Sequence, residues 1–162
     1  MPATLDIRLA TYDDLAAVDT LFADSYARLL RADYPPSLQV MALPRLSRAQ
    51  PALLRSGRYF LAEEDGAIVG AGGWSKDARV RRLGHVRHLV TDHRVVRRGI
   101  ATRVLAAALA QARKQGITRM ACNATRTAVP FYESRGFFKV GPVEIDLAPG
   151  ITFPALRMVR AL

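Results

Sequence analysis

Only one cysteine, Cys122, occurs in the 162 residues. An intrachain disulfide is therefore excluded, and nothing points to an oxidising compartment. Long apolar runs are missing too. None has the length a bilayer requires, and the opening MPATLDIRLAT lacks the basic-then-apolar order of a secretion signal. The expectation is a cytoplasmic protein with no membrane association. Acidic residues are scarce, 14 Asp and Glu against 24 Lys and Arg, and the net charge of +10 disfavours polyamines and favours polyanions or acidic small molecules. The histidines, His85, His88 and His93, lack a convergent ligand set, so no metal site is expected. The known glycine-rich phosphate fingerprints, GxGxxG and GxxxxGK[ST], are also absent.

What remains is the composition of one globular domain over residues 1–162. Half the residues are hydrophobic and under a quarter are charged, which excludes a disordered chain. Residues 5–10 alternate weakly as a first strand. Thr11 to Asp14 form a capping-box pattern, and Leu15, Val18, Phe22 and Tyr26 follow at helical spacing. Tyr34-Pro35-Pro36-Ser37 breaks that helix, and a second helical stretch, interrupted by Pro44 and Pro51, runs to about residue 55. Residues 58–63 and 67–74 read as strands joined by the hairpin signal Asp65-Gly66, with Gly70, Gly72 and Gly73 marking a bulge or a close backbone approach. Residues 76–83 form a basic loop. A strand at 84–91, a helix at 99–115 closed by Gly116, and a strand at 117–124 follow, the helical crossover making these two strands parallel. Pro130 suits the first turn of a short helix ended by Gly136, and 138–146 with 155–160 form a closing antiparallel pair.

The chain turns on residues 84–112. A strand feeding through a basic loop into a helix aims unpaired backbone N–H groups and the positive helix end at one point, which suits a phosphate. The window Val96-Arg97-Arg98-Gly99-Ile100-Ala101 resembles the Gln/Arg-x-x-Gly-x-Gly/Ala motif of the GCN5-related N-acetyltransferases. Val96 stands where Gln or Arg is usual, and Arg97 where a second glycine is common. A second match runs from Asn123 through Ala128, Phe131 and Tyr132 to Gly136-Phe137, the family's strand-end Asn followed by a short helix. The two occur in the family's order and separation.

The resemblance implies an α/β (α+β) fold with a mixed, mostly antiparallel sheet, a central splayed parallel pair and flanking helices. It also implies acetyl-CoA as cosubstrate and an amine acceptor, walled in part by the variable region before residue 58. The residues assigned to the cofactor are Leu89, Val90, Thr91, Val96, Arg97, Arg98, Gly99, Ile100, Ala101, Thr102, Asn123 and Phe131, with Arg103 and Arg126 as further phosphate partners. Tyr132 is the expected general acid, since a phenol is protonated at neutral pH. His85 and His88 are the candidate bases, His85 preferred because the resemblance puts it near the catalytic glutamate of some family members, with a water chain as the alternative to both. The two histidines lie three apart on one strand, so without a bulge they face opposite ways. Cys122 is expected to be buried, which favours direct transfer over a cysteinyl intermediate. Two rivals stand beside this reading: a noncatalytic acyl-CoA-binding or sensor domain, and a basic nucleic-acid-binding protein, disfavoured because the arginines are dispersed. The acceptor is unnamed by the sequence, and so is the oligomeric state, with a homodimer compatible.

Overall fold

A computed structural model describes residues 4–29, 31, 34–46, 48–95 and 97–162. Among the described residues seven strands make one sheet: β1 (Leu5–Leu9), β2 (Tyr59–Glu64), β3 (Ala67–Lys76), β4 (Leu83–Thr91), β5 (Arg119–Ala124), β6 (Phe138–Ala148) and β7 (Ile151–Ala161). Their spatial order is β1-β2-β3-β4-β5-β7-β6. The β4–β5 pair is parallel and the others are antiparallel. Short connections join the antiparallel neighbours β2–β3, β3–β4 and β6–β7, whereas β1 reaches β2 through the α1–α3 segment and β4 reaches β5 only through a crossover helix. The helices are α1 (Leu15–Leu29), α2 (Pro36–Leu46), α3 (Pro51–Leu54), α4 (Ile100–Lys114) and α5 (Val129–Ser134). This is the mixed, mostly antiparallel architecture with one parallel pair that the sequence led us to expect.

Local chemistry sets the element ends. Asp65 and Gly66 both adopt left-handed backbones, φ 51° and 82°, as a two-residue type I′ hairpin demands. The α1 entry is fixed by Asp14, whose carboxylate accepts the Thr11 N–H at 2.8 Å and pairs with Arg8 at 2.9 Å. The Arg8 guanidinium holds the Asp14 carboxyl below its usual range. At the far end of α4 the N–H groups of Gly116 and Ile117 donate back to the carbonyls of Arg113 and Ala112, a Schellman closure that uses the positive φ of Gly116. β7 starts earlier than expected, at Ile151, with Pro154 inside it. The proline is tolerated because the last β5–β7 pair is Ala124 with Leu156, so at Pro154 one side of β7 needs no ladder donor.

The sheet separates two helical layers. On one face α4 buries Ile100, Val104, Leu105, Ala108, Leu109 and Ala112. Its C-terminal half shares a core with Trp74, Met120, Cys122, Tyr132 and Met158. The glycines of β3 let this helix sit close. A Cβ on Gly70 would lie 2.6 Å from Ile100 Cγ2, and one on Gly72 would lie 2.5 Å from Leu89 and 3.1 Å from Val104. Gly73 instead meets the Arg58 carbonyl across the β2 edge. Of the two readings of these glycines, both apply: the β3–β4 register also slips here. On the opposite face, α1 and α3 pack Val18, Phe22 and Leu54 against Tyr59, Leu61 and Val90, while Tyr34, Ala42 and Phe153 form a separate cluster beneath α2.

Candidate active site

The parallel pair is short. β4 and β5 are joined only through Leu83–Arg119, Gly84–Met120 and His85–Ala121, although β4 continues to Thr91 and β5 to Ala124. Beyond that third pair the strands part. At the wide end of the splay lies a cavity of about 720 Å³, within the range of small-molecule sites. Leu89, Val90 and Thr91 form one wall, Gly99 to Thr102 the second, and Thr125, Ala128, Phe131 and Tyr132 the third, with Tyr26 of α1 closing the space.

The helix side of this cavity is an anion cradle. The first backbone bond of α4 runs from the Arg103 N–H to the Gly99 carbonyl, so the amides of Ile100, Ala101 and Thr102 precede the helical ladder. Gly99 caps the helix with φ 79°. An added Cβ there would meet nothing within 4 Å, so glycine is required by backbone conformation and not by space. Arg97 adopts φ 66° as well, which explains why glycine is common at this position, and its exposed side chain lines the cavity without filling it. Val96 lies outside the described residues.

The other loop arginines are used differently. Arg94 donates to both carboxylate oxygens of buried Asp92, at 3.1 and 2.8 Å, and this lowers the Asp92 pKa. The Asp92 N–H also donates to the Val69 carbonyl, so the loop is tied to β3. Arg98, assigned to the cofactor, pairs with Glu64 at 2.9 Å and does not line the cavity. His93 is turned inward, its backbone N–H donating to Ser25 of α1.

Tyr132 is buried on the cavity wall, between the rings of Phe131 and Phe137. Burial raises its phenol well above the ordinary value, with the neighbouring Cys122 and Tyr26 adding to the effect. Burial likewise pushes the Cys122 thiol up to about 12. A bulge on β4 turns both histidines to the α1 side of the sheet. It places His88 and Leu89 opposite Gly72, and His88 takes φ 44°. Its ring stacks on Phe22 beneath α1, 5.7 Å between centroids, and burial lowers its pKa, Arg87 contributing. Its carbonyl accepts the Tyr59 hydroxyl at 2.7 Å. His85 lies in the last paired row of the splay, its Nε2 2.7 Å from Asp77 Oδ2. Neither histidine lines the cavity, and neither does Asn123, which is exposed on the α1–α2 side of the sheet.

Tyr26 is the cavity residue that sequence reading missed, because at its helical spacing it resembles any core position of α1. Thr125 and Thr127 were also overlooked; they lead out of β5 into the short turn before α5. No group of three or more metal-ligating side chains occurs among the described residues, and none of their helices is long and apolar enough to cross a membrane.

A family model described as an acetyltransferase (GNAT) domain matches residues 43–158. No curated protein matches the chain. Among solved structures, a GCN5-related N-acetyltransferase from Rhodopseudomonas palustris superposes with a TM-score of 0.79 at 20% identity, covering 100% of this chain and 97% of that one. The PaiA N-acetyltransferase of Thermoplasma acidophilum, in complex with coenzyme A, gives 0.71 at 16% identity over 98% and 99%. The ribosomal-protein-alanine N-acetyltransferase of Brucella melitensis gives 0.69 at 20% identity over 97% and 99%. These likenesses establish a shared fold. With the family match spanning most of the sequence, they show that the chain belongs to the GNAT acetyltransferase family.

Proposed function

We propose that the chain acts as one cytoplasmic domain that transfers the acetyl group of acetyl-CoA directly to a primary amine. The observation that carries this reading is the cavity at the splay, where the N-terminal amides of α4, the edge of β4 and the buried phenol of Tyr132 converge. The residues fit the cosubstrate: amides 100–102 and the Arg97 guanidinium would hold the diphosphate, and the edge of Leu89–Thr91 would offer main-chain groups to the pantetheine arm. The coenzyme A complex of the Thermoplasma protein, which shares the fold, supports the same use here.

In the reaction the amine nitrogen bonds to the thioester carbonyl carbon, the C–S bond breaks, and the nitrogen loses a proton while the thiolate gains one. Tyr132 holds its proton at neutral pH because burial disfavours the phenolate, so it can donate to the departing sulfur. Of the two candidate bases, His88 has an imidazole kept uncharged by burial, its ring lying against Phe22 on the α1 side and outside the cavity lining. His85 offers Nδ1 alone, its Nε2 being held by Asp77, a carboxylate contact of the kind that orients a histidine base. A thioester with Cys122 is disfavoured, since a thiol titrating at about 12 supplies little thiolate at neutral pH. Thiol release from acetyl-CoA with a panel of primary amines tests the proposal. Turnover with at least one amine is expected; saturable CoA binding with no turnover on any amine would favour a sensor domain instead.

A further inference from the structure

The open face of the splay carries an arrangement the cofactor does not use. Ser75, His85, Ala121 and Val159 form one row across β3, β4, β5 and β7, and in this row β4 and β5 still pair. One step further, two residues along each strand, Arg87 stands on β4, while Asn123 pairs with Arg157 across β5 and β7, and Gly141 of β6 flanks Arg157. The first opening of the sheet is thus bracketed by Arg87 on one side and Asn123 with Arg157 on the other.

The strand alternation fixes the face. Met120, Cys122, Leu156 and Met158 point into the α4–α5 core, so Asn123 and Arg157 point to the opposite side. Val86 joins that same core, and Arg87 points away from it, its Nε donating to Ser75 Oγ at 2.8 Å. The core closes the α4–α5 side of the splay, so an amine reaches a thioester lodged there from the Arg87–Arg157 side. Helices α1 and α2 flank this approach, Phe22 stacking on His88 beyond Arg87 and Phe153 buried beyond Arg157, while Arg87 and Asn123 are themselves exposed.

The charges of the bracket are uncompensated. Ion pairs among the described residues engage Arg8, Arg94, Arg98 and Lys139, and leave Arg157 and Arg87 without an acidic partner. Asp77, which reaches the preceding row, is occupied by His85 and by the N–H groups of Arg79 and Val80. On β6, Ile145 and Leu147 pack under α2, so Glu144 and Asp146 lie on the other face. A half-buried guanidinium beside an amide, with no carboxylate of its own, is a site for one from outside.

Building on the acetyltransferase reading, we propose that the acceptor is an amine bearing a carboxylate, which Arg157 and Asn123 bind while Arg87 faces it across the opening. The same positive field disfavours the ammonium form of the incoming amine and so raises the fraction that is nucleophilic.

Thiol release would be followed with the twenty amino acids and their carboxamides as paired acceptors, and CoA affinity measured by calorimetry on the same samples. For accepted pairs, kcat/KM is expected to favour the free acid by roughly tenfold or more, the scale of a charge-assisted hydrogen bond. R157Q should bring that ratio close to one while R157K restores part of it, with the CoA dissociation constant unchanged in both. Equal use of acids and carboxamides, a preference that survives R157Q, or CoA binding with no acid accepted would overturn the carboxylate site. Absence of CoA binding would instead overturn the acetyltransferase reading on which it rests.

Discussion

At the scale of single residues, the site depends on groups whose ionisation the fold controls. Replacing Tyr132 by Phe removes the proton donor but leaves the rings of Phe131 and Phe137 their packing partner. The expected result is a fall in kcat of about a hundredfold or more, the usual range for loss of a general acid, with CoA affinity retained in calorimetry. His88 makes a prediction about stability. Its folded pKa lies below the ordinary 6.5, so the unfolded chain binds the proton more tightly, and stability must fall as pH drops below that value. Melting temperatures from pH 7 to 5 should show this decline, and H88N, which tolerates the left-handed backbone, should flatten it. Arg97 offers a test of strain. A non-glycine residue at φ 66° costs about 1–2 kcal/mol, while glycine costs roughly 0.5–1 kcal/mol in chain entropy. R97G should therefore raise stability slightly in denaturant titration and weaken CoA binding, by loss of the guanidinium. These roles were unevenly legible beforehand. Tyr132 stood in a motif and a glycine is common at position 97, but nothing in the alternation of β4 marks the left-handed turn at His88.

At the scale of elements, close approach and cross-links decide whether the cavity keeps its shape. The tight fit of α4 on β3 leaves no room for a methyl group at Gly70, where a Cβ would lie 2.6 Å from Ile100, so G70A should cost about 1–3 kcal/mol, as overpacking usually does. Tyr34 ties the start of α2 to the far wall: its hydroxyl donates to the Pro154 carbonyl at 3.1 Å and accepts the Arg126 N–H at 2.8 Å. Arg126 lies between the cavity residues Thr125 and Thr127, so Y34F should loosen that wall. A loss of about 1–3 kcal/mol, the cost of leaving buried groups unpaired, should accompany weaker CoA binding, both measurable by calorimetry. The hairpin at Asp65-Gly66 and the helix stop at Gly116 could be read from the chain because turn chemistry is local. The splay was implied only by the family resemblance. It consists of three paired rows followed by separation, and beyond those rows Val86 and Cys122 still face the core as residues of paired strands would.

At the scale of the whole molecule, the +10 charge divides into structural and functional parts. Arg8, Arg94 and Arg98 are engaged with carboxylates, whereas Arg97 faces the cavity and Arg87 and Arg157 flank the opening. Composition could predict an anionic partner but not this division, which depends on which arginines meet an acid in three dimensions. The central claim is that CoA occupies the splay, gripped at the start of α4. Amide chemical-shift mapping during a CoA titration tests it most directly. Saturable shifts concentrated at residues 89–91, 97–102 and 125–132 are predicted; no saturable shifts, or shifts clustered elsewhere on the sheet, would contradict it.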